Sequence, residues 1–243
     1  MLVLLTIVDK WSIIKVLDIS SIYLFLEEFM KKFLICLLCF SMLLIAFVGC
    51  DSKAPAGSTS QDDPTKAQFE CGKKAYDELV KASTICEDMG DALYGAWYFA
   101  IYEADDYSGS SRISAFASET GLSSSDIYAV GEEMGYNSTL LPYALDDFST
   151  AVYVVLAVYE ANGKTEELNT ALANAKTELK TMTEKYSDYS QYPSLKSFYS
   201  EVDSYATFLK SPSGSFEQLK TTIETYEKSI RTYKSDLSFV FED

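Results

Sequence analysis

No histidine occurs among the 243 residues. Its absence removes the commonest general base, the commonest transition-metal ligand and every Ser-His or Cys-His arrangement for nucleophilic catalysis. Positive charge is also scarce, with 20 Lys+Arg against 36 Asp+Glu and a formal net charge of −16. Phosphate backbones are bound by basic faces, so nucleic acid is not an expected partner. From residue 50 onward there is no phosphate-cradling glycine loop, no paired CxxC and no G-x-S-x-G elbow. No strand pair carries hairpin turn chemistry and no period of repeat length is evident. These absences point to a noncatalytic, cofactor-free protein without a metal site.

The acids that are present suggest little chemistry. Asp105/Asp106, Glu132/Glu133 and Asp146/Asp147 could offer oxygen ligands to calcium, but the stretch around Asp106 and Gly109 lacks the alternating acids and closing Glu of a helix-loop-helix site. Their spacing does not single out a paired-carboxylate glycosidase either. They are expected to be solvated helix ends, and Asp146/Asp147 sit where a helix N-terminus favours negative charge. Asn137, Ser138 and Thr139 form a glycosylation triplet that is read as coincidence.

Residues 30–50 carry the most specific pattern. Met30, Lys31 and Lys32 precede an almost unbroken apolar run from Phe33 to Val48, followed by Gly49 and Cys50. A positive start followed by a run of about sixteen apolar or small residues, short of the about 20 a spanning helix needs, fits a cleavable export signal. The segment resembles the signal of a bacterial lipoprotein, although Phe47 departs from the aliphatic residue usual in that family. The resemblance implies that the Cys50 thiol receives a diacylglyceryl group and becomes the first residue of the mature chain. Two or three acyl chains there would anchor the protein at the extracytoplasmic face of the cell membrane, where a single chain is marginal. Asp51 resembles the inner-membrane retention signal of enteric Gram-negative lipoproteins.

Residues 1–29 are apolar in patches but broken by Asp9, Lys10, Lys15 and Asp18, which makes them a poor membrane span. They are read as an upstream translation artefact or an N-terminal extension, with translation expected to start at Met30. If the signal is removed, Cys36 and Cys39 leave with it, Cys50 carries lipid, and Cys71 and Cys86 remain. An exported pair invites a disulfide. Fifteen residues along one helix, however, is about 22 Å at 1.5 Å per residue, beyond the roughly 7 Å reach between α-carbons of a bridge. A bridge therefore needs a break near Cys71, and two partly buried thiols are the default.

Residues 50–66 contain no large apolar side chain and are rich in Ser, Pro, Asp and Gly, so they read as a flexible tether. Residues 67–243 are enough for one domain with a sizeable core. The apolar pattern there is helical nearly throughout and predicts an all-α antiparallel bundle of about four to six helices. Leu219, Ile223, Tyr226, Ile230, Tyr233, Leu237 and Val240 form one seam, introduced by a Ser215/Gln218 capping box. Similar seams run through Leu168 to Met182 and on to Tyr186 and Tyr189, through Leu195, Phe198, Val202, Tyr205 and Leu209, and through Leu145, Phe148, Val152, Val155 and Tyr159. Asn162 and Gly163 are expected to end one helix, and Thr165 to cap the next. The first helix is expected over about 67–104, with Leu79, Met89, Leu93, Trp97 and Ile101 inward. Its stretch Ala92 to Tyr102, including Trp97, Tyr98 and Tyr102, is expected to be the most buried part of the domain. Shorter helices, one ending at Gly121 and one from Ser123 to Gly135, form an insertion over about 105–142.

Seventeen of the eighteen tyrosines lie beyond residue 75. Tyr186, Tyr189, Tyr192, Tyr199 and Tyr205 cluster with Phe198 and form a candidate interaction surface, since aromatic rings with a polar tip suit sugars, peptides or a protein partner. The competing expectation is that these rings edge the core. The leading functional expectation is a membrane-anchored, noncatalytic helical domain for a protein or cell-envelope partner. The alternative is a small-ligand receptor, for a sugar or peptide, with a pocket between helices.

Overall fold

The computed structural model describes residues 64–242, which lie within one compact unit, Gln61–Asp243. The signal-like segment, Cys50 and the tether up to residue 63 lie outside the described residues. Among those described, the fold is an all-α bundle without strands. Its helices are α1 (Pro64–Tyr98), α2 (Gly109–Thr120), α3 (Ser124–Glu133), α4 (Leu141–Ala144), α5 (Phe148–Ala161), α6 (Lys164–Lys185), α7 (Tyr192–Lys210) and α8 (Phe216–Phe241). The tether is shorter than its composition suggests, because α1 already starts at Pro64. Proline suits a first helical position, where its missing N–H would have had no partner.

The core is built around α1, which packs against α2, α5, α6, α7 and α8. Ala75, Leu79, Ala82, Cys86 and Leu93 are completely buried along it, with Tyr76 and Met89 nearly so. Small residues at these central positions let neighbouring helices approach closely. Gly95 allows the closest approach, since a Cβ there would overlap the backbone carbonyl of Glu119 at the end of α2. The seams on α6 and α7 are buried where the stepping puts them, at Leu168, Leu172, Ala175, Leu179 and Met182 and at Leu195, Phe198, Val202, Tyr205 and Leu209. On α8 the buried residues are Leu219, Ile223, Ile230 and Leu237, while Tyr226, Tyr233 and Val240 flank them and Phe241 closes the end.

Helix ends follow local chemistry. Ser215 Oγ accepts from the Gln218 N–H at 3.3 Å, and Gln218 Oε1 accepts from the Ser215 N–H at 2.8 Å. Ser123 caps α3 through the Asp126 N–H, and Asp147 caps α5 through the Thr150 N–H at 2.9 Å. Gly121 and Gly163 both adopt left-handed backbone, at φ 67° and 71°. Gly163 occupies the cap position of α6, so Thr165 falls inside the first turn and is not the cap. Asn137, read as part of a chance glycosylation triplet, accepts from the Thr139 and Leu140 N–H groups, both at 2.9 Å, and so shapes the approach to α4.

Two expectations are corrected. First, α1 does not continue regularly to residue 104: Phe99–Glu103 is a π-helical turn, followed by a 3-10 turn at Ala104–Asp106. The wider π turn rotates the residues beyond it relative to an α-helical register. Trp97 and Phe99 therefore stay in the core, but Ile101 is 48% and Tyr102 57% exposed. Second, Leu145 precedes α5, and the buried face of that helix is Ala151, Val154, Val155, Val158 and Tyr159, with Phe148 exposed. Leu145, Val155 and Tyr159 of the expected stripe are buried, while Phe148 and Val152 give way to Ala151, Val154 and Val158, since a helix apolar on most sides offers several possible inward stripes.

The insertion is held by an arginine that the hydrophobic pattern did not reveal. Arg112 of α2 is buried, forms an ion pair with Asp146, donates from Nε to the Tyr107 carbonyl at 3.1 Å and lies over the Tyr143 ring at 5.3 Å. Asp146 and Asp147 thus have separate tasks, one pairing with Arg112 and the other capping α5.

The candidate disulfide between Cys71 and Cys86 is excluded, because both stand on the unbroken α1 and both are free and buried. Burial, reinforced by the nearby Glu178 carboxylate, pushes the Cys71 thiol up to about 11, and burial pushes Cys86 up to about 12. Thiols held protonated in this way are poor nucleophiles. Peptide mapping after alkylation, without reductant, should therefore find both residues unlabelled in the native protein and fully labelled in denaturant. A Gly95→Ala substitution should destabilise the protein by about 1–3 kcal/mol in urea unfolding, because α1 and α2 must separate to admit the methyl group.

Candidate functional site

Overlap of exposed and buried aromatics defines one end of the bundle. Successive turns at the end of α1 place Tyr94, Trp97 and Tyr98 in line with Tyr102 of the π turn. Tyr98 stacks toward Tyr94 and Tyr102 with ring centroids 6.3 and 5.2 Å away. Phe216, the first residue of α8, packs on the same row, 5.3 Å from Tyr94 and 5.7 Å from Tyr102. On the other side Trp97 stacks on Phe148 of α5 at 5.2 Å, with the ring planes 13° apart. Buried Trp97 thus anchors Phe148 in the core, and Tyr102 of the tyrosine row, Phe148 and Tyr153 reach water, being 57%, 46% and 59% exposed.

A surface groove of about 240 Å³ runs along this end, lined by Trp97, Phe148, Val152, Tyr153, Lys210 and Pro212 among others. Three elements meet there: the end of α1, the solvent side of α5 and the turn between α7 and α8. Pro212 lies just past the end of α7 and helps direct the chain back into α8. Lys210, one cation in a strongly acidic protein, is steadied by a 2.7 Å hydrogen bond from Nζ to Asn169 Oδ1. Ser149 and Ser211 add hydroxyls beside the rings. Flat apolar faces with a few polar groups at their edges can hold an extended or planar partner.

The aromatic cluster expected on residues 186–205 divides differently. Phe198 and Tyr205 are completely buried and are core residues, so they leave the candidate interaction surface. Phe198 stacks on Tyr233 at 5.7 Å, and Tyr205 on Tyr226 at 4.9 Å with its hydroxyl donating to Glu227 Oε1 at 3.4 Å. Tyr186, Tyr189, Tyr192 and Tyr199 are half-buried along the edge of the core. The Tyr192 hydroxyl is satisfied by Thr183 Oγ1 at 2.7 Å. Burial raises the hydroxyl pKa of Tyr189 and of Tyr199. The seams on α6 and α7 continue through these positions, which is why the rings turn inward.

Cys50, the expected lipid attachment residue, lies outside the described residues. No helix among the described residues is long and apolar enough to cross a membrane. The three acidic pairs do not come together, and no group of His, Cys, Asp or Glu among the described residues is arranged to hold a metal ion. No family model, curated protein or solved structure matches the chain.

Exposure separates the groups that support the fold from those free to act. Tyr153→Ala should change unfolding free energy by no more than about 0.5 kcal/mol. Trp97→Ala should cost about 3–5 kcal/mol in the same denaturation assay, because it empties the anchor beneath Phe148.

Proposed function

We propose that this chain is an exported lipoprotein held at the extracytoplasmic face of the cell membrane through acylated Cys50, and that its helical domain is a noncatalytic docking module for a protein or envelope partner. The observation that carries the docking reading is the pair of exposed rings, Phe148 and Tyr153, lining a groove in which Phe148 is stacked on buried Trp97. Aromatic side chains supply large contact area at low entropic cost, and a preformed row avoids much of the ordering penalty of binding. The anchoring reading rests on Met30 to Cys50 and on the polar stretch after them.

Geometry favours presentation away from the lipid. The chain enters the bundle at Pro64, and α1 is 35 residues long, about 52 Å at 1.5 Å per residue. The aromatic row therefore lies nearly a helix length from the point where the tether joins. A strong net negative charge disfavours close approach to anionic headgroups and agrees with a domain standing off the surface.

In its own host, the protein should fractionate with membranes and carry acyl chains on residue 50, and Cys50→Ala should remain unacylated with its signal uncleaved. A photo-crosslinking side chain at residue 153 should capture a discrete partner that one at residue 196, on the outer face of α7, does not. Loss of that difference would remove the docking face, and an unmodified Cys50 would remove the anchor.

A further inference from the structure

The groove beside Trp97 differs in charge from the rest of the surface. No acidic residue lines it, although the chain has 36 Asp+Glu against 20 Lys+Arg. Three other concavities all carry carboxylates. One on the insertion includes Glu132, and two adjoining ones on the flank, where α1, α2 and α5 meet, share Asp88, with Asp91 and Glu119 in the larger. In the groove the one charged side chain is Lys210. We propose that the groove receives the C-terminus of a partner polypeptide, with the terminal carboxylate at Lys210 and an apolar last side chain against Phe148 and Tyr153. This rests on the docking reading of the same groove and adds the chemistry of its partner.

The first support is the state of the lysine. Lys210 forms no ion pair among the described residues. Its ammonium donates to the neutral Asn169 amide oxygen at 2.7 Å, which orients the side chain and leaves its charge and two further N–H donors for a ligand. Lys210 lies in the last turn of α7, but a helix C-terminus carries only about half an elementary charge, so the end of the helix does not neutralise it. The nearest acid in sequence to the groove residues of α5, Asp147, is committed to capping that helix: one carboxylate oxygen accepts from the Thr150 N–H at 2.9 Å and from its hydroxyl at 2.8 Å. A carboxylate from outside would complete the pair at Lys210.

The second support is the size and lining of the groove. Its volume of about 240 Å³ is below the about 300–1,000 Å³ of sites for drug-sized ligands, which suits a chain end rather than a long segment. Val152 and Leu156 are half-buried beside the exposed rings of Phe148 and Tyr153, so the walls that accompany the lysine are apolar. A C-terminal residue with an apolar side chain supplies both a carboxylate and a hydrophobic group within one residue. An acidic sugar would instead set hydroxyls against Val152, Leu156 and Pro212, where they would lose water without gaining partners. Capture of a terminal carboxylate is a recurring mode of peptide recognition.

The test is fluorine NMR titration of the full chain in phosphatidylcholine nanodiscs, whose lipid has no net charge, with acetyl-Ala-Ala-Ala-Phe carrying 4-fluorophenylalanine as its last residue. The free acid should bind saturably, and the C-terminal amide at least about tenfold more weakly. Lys210→Gln should bring the acid down to the level of the amide and leave the amide unchanged, a loss of discrimination that a merely structural defect does not produce. Tyr153→Ala should weaken both about three- to tenfold, and Lys196→Gln, on the outer face of α7, should change neither. The proposal is overturned by absence of saturable binding, by equal binding of acid and amide, or by discrimination that survives in Lys210→Gln. It is also overturned if glucuronate or octanoate displaces the reporter as well as the unlabelled peptide does, since the site would then belong to an acidic sugar or a lipid. Failure of the peptide with continued partner capture at residue 153 rejects this chemistry and leaves the docking face standing, whereas failure of both rejects the face as well.

Discussion

The burial of α1 is the constraint on which the rest of this structure depends. Five other helices lean on it, and its small residues allow them to lie close enough to exclude water. Apolar burial contributes about 25 cal/mol per Å² removed from water, so a helix buried on several faces dominates the stability of its domain. The same position makes α1 the spacer of the molecule, with the chain entering at Pro64 and the aromatic row emerging at the other end. Where α1 stops being a regular helix, at the π turn Phe99–Glu103, its side chains pass from core to surface within a few residues. π turns are often found at functional sites, and this one follows directly on Trp97, the residue of α1 that lines the groove.

Charge has a different part in the molecule. The acids outnumber the bases by sixteen, and most of them simply keep the surface solvated. Two places depart from that. Arg112 is drawn into the protein, where Asp146 and the Tyr107 carbonyl satisfy it and fasten the insertion to the start of α5. On the flank, Asp88 and Asp91 face a cleft bounded by two helix ends, with no basic residue lining the part that both acids share.

Much of the fold was legible because burial in a bundle leaves a three- and four-residue rhythm in the sequence. The seams on α6 and α7, the box at Ser215 and Gln218, and the helix ends at Gly121 and Gly163 all stem from local rules. The aromatic row was not legible, because an inserted turn in a helix has no rhythm of its own: Ile101 and Tyr102 continue the pattern of Trp97 while facing the other way. Tyr205 and Phe198 misled in the opposite sense, since a cluster of rings in sequence does not tell a surface from an edge of the core. Arg112 gave no signal because its partners lie 5 and 34 residues away. The flank cleft drew side chains from three separate helices, none of which carries a motif.

Hydrogen exchange of the full chain in detergent, read residue by residue, tests the central claim most directly. With α1 as the axis of the fold, amides from about Cys71 to Trp97 should exchange through global unfolding and be the slowest in the molecule. Those of Phe99–Asp106 should exchange faster by at least about a hundredfold, marking the place where the core helix ends. Exchange in α1 that is faster than in α6, α7 or α8, or protection running undiminished through residue 106, would contradict both the axis and the turn that sets the aromatic row outward.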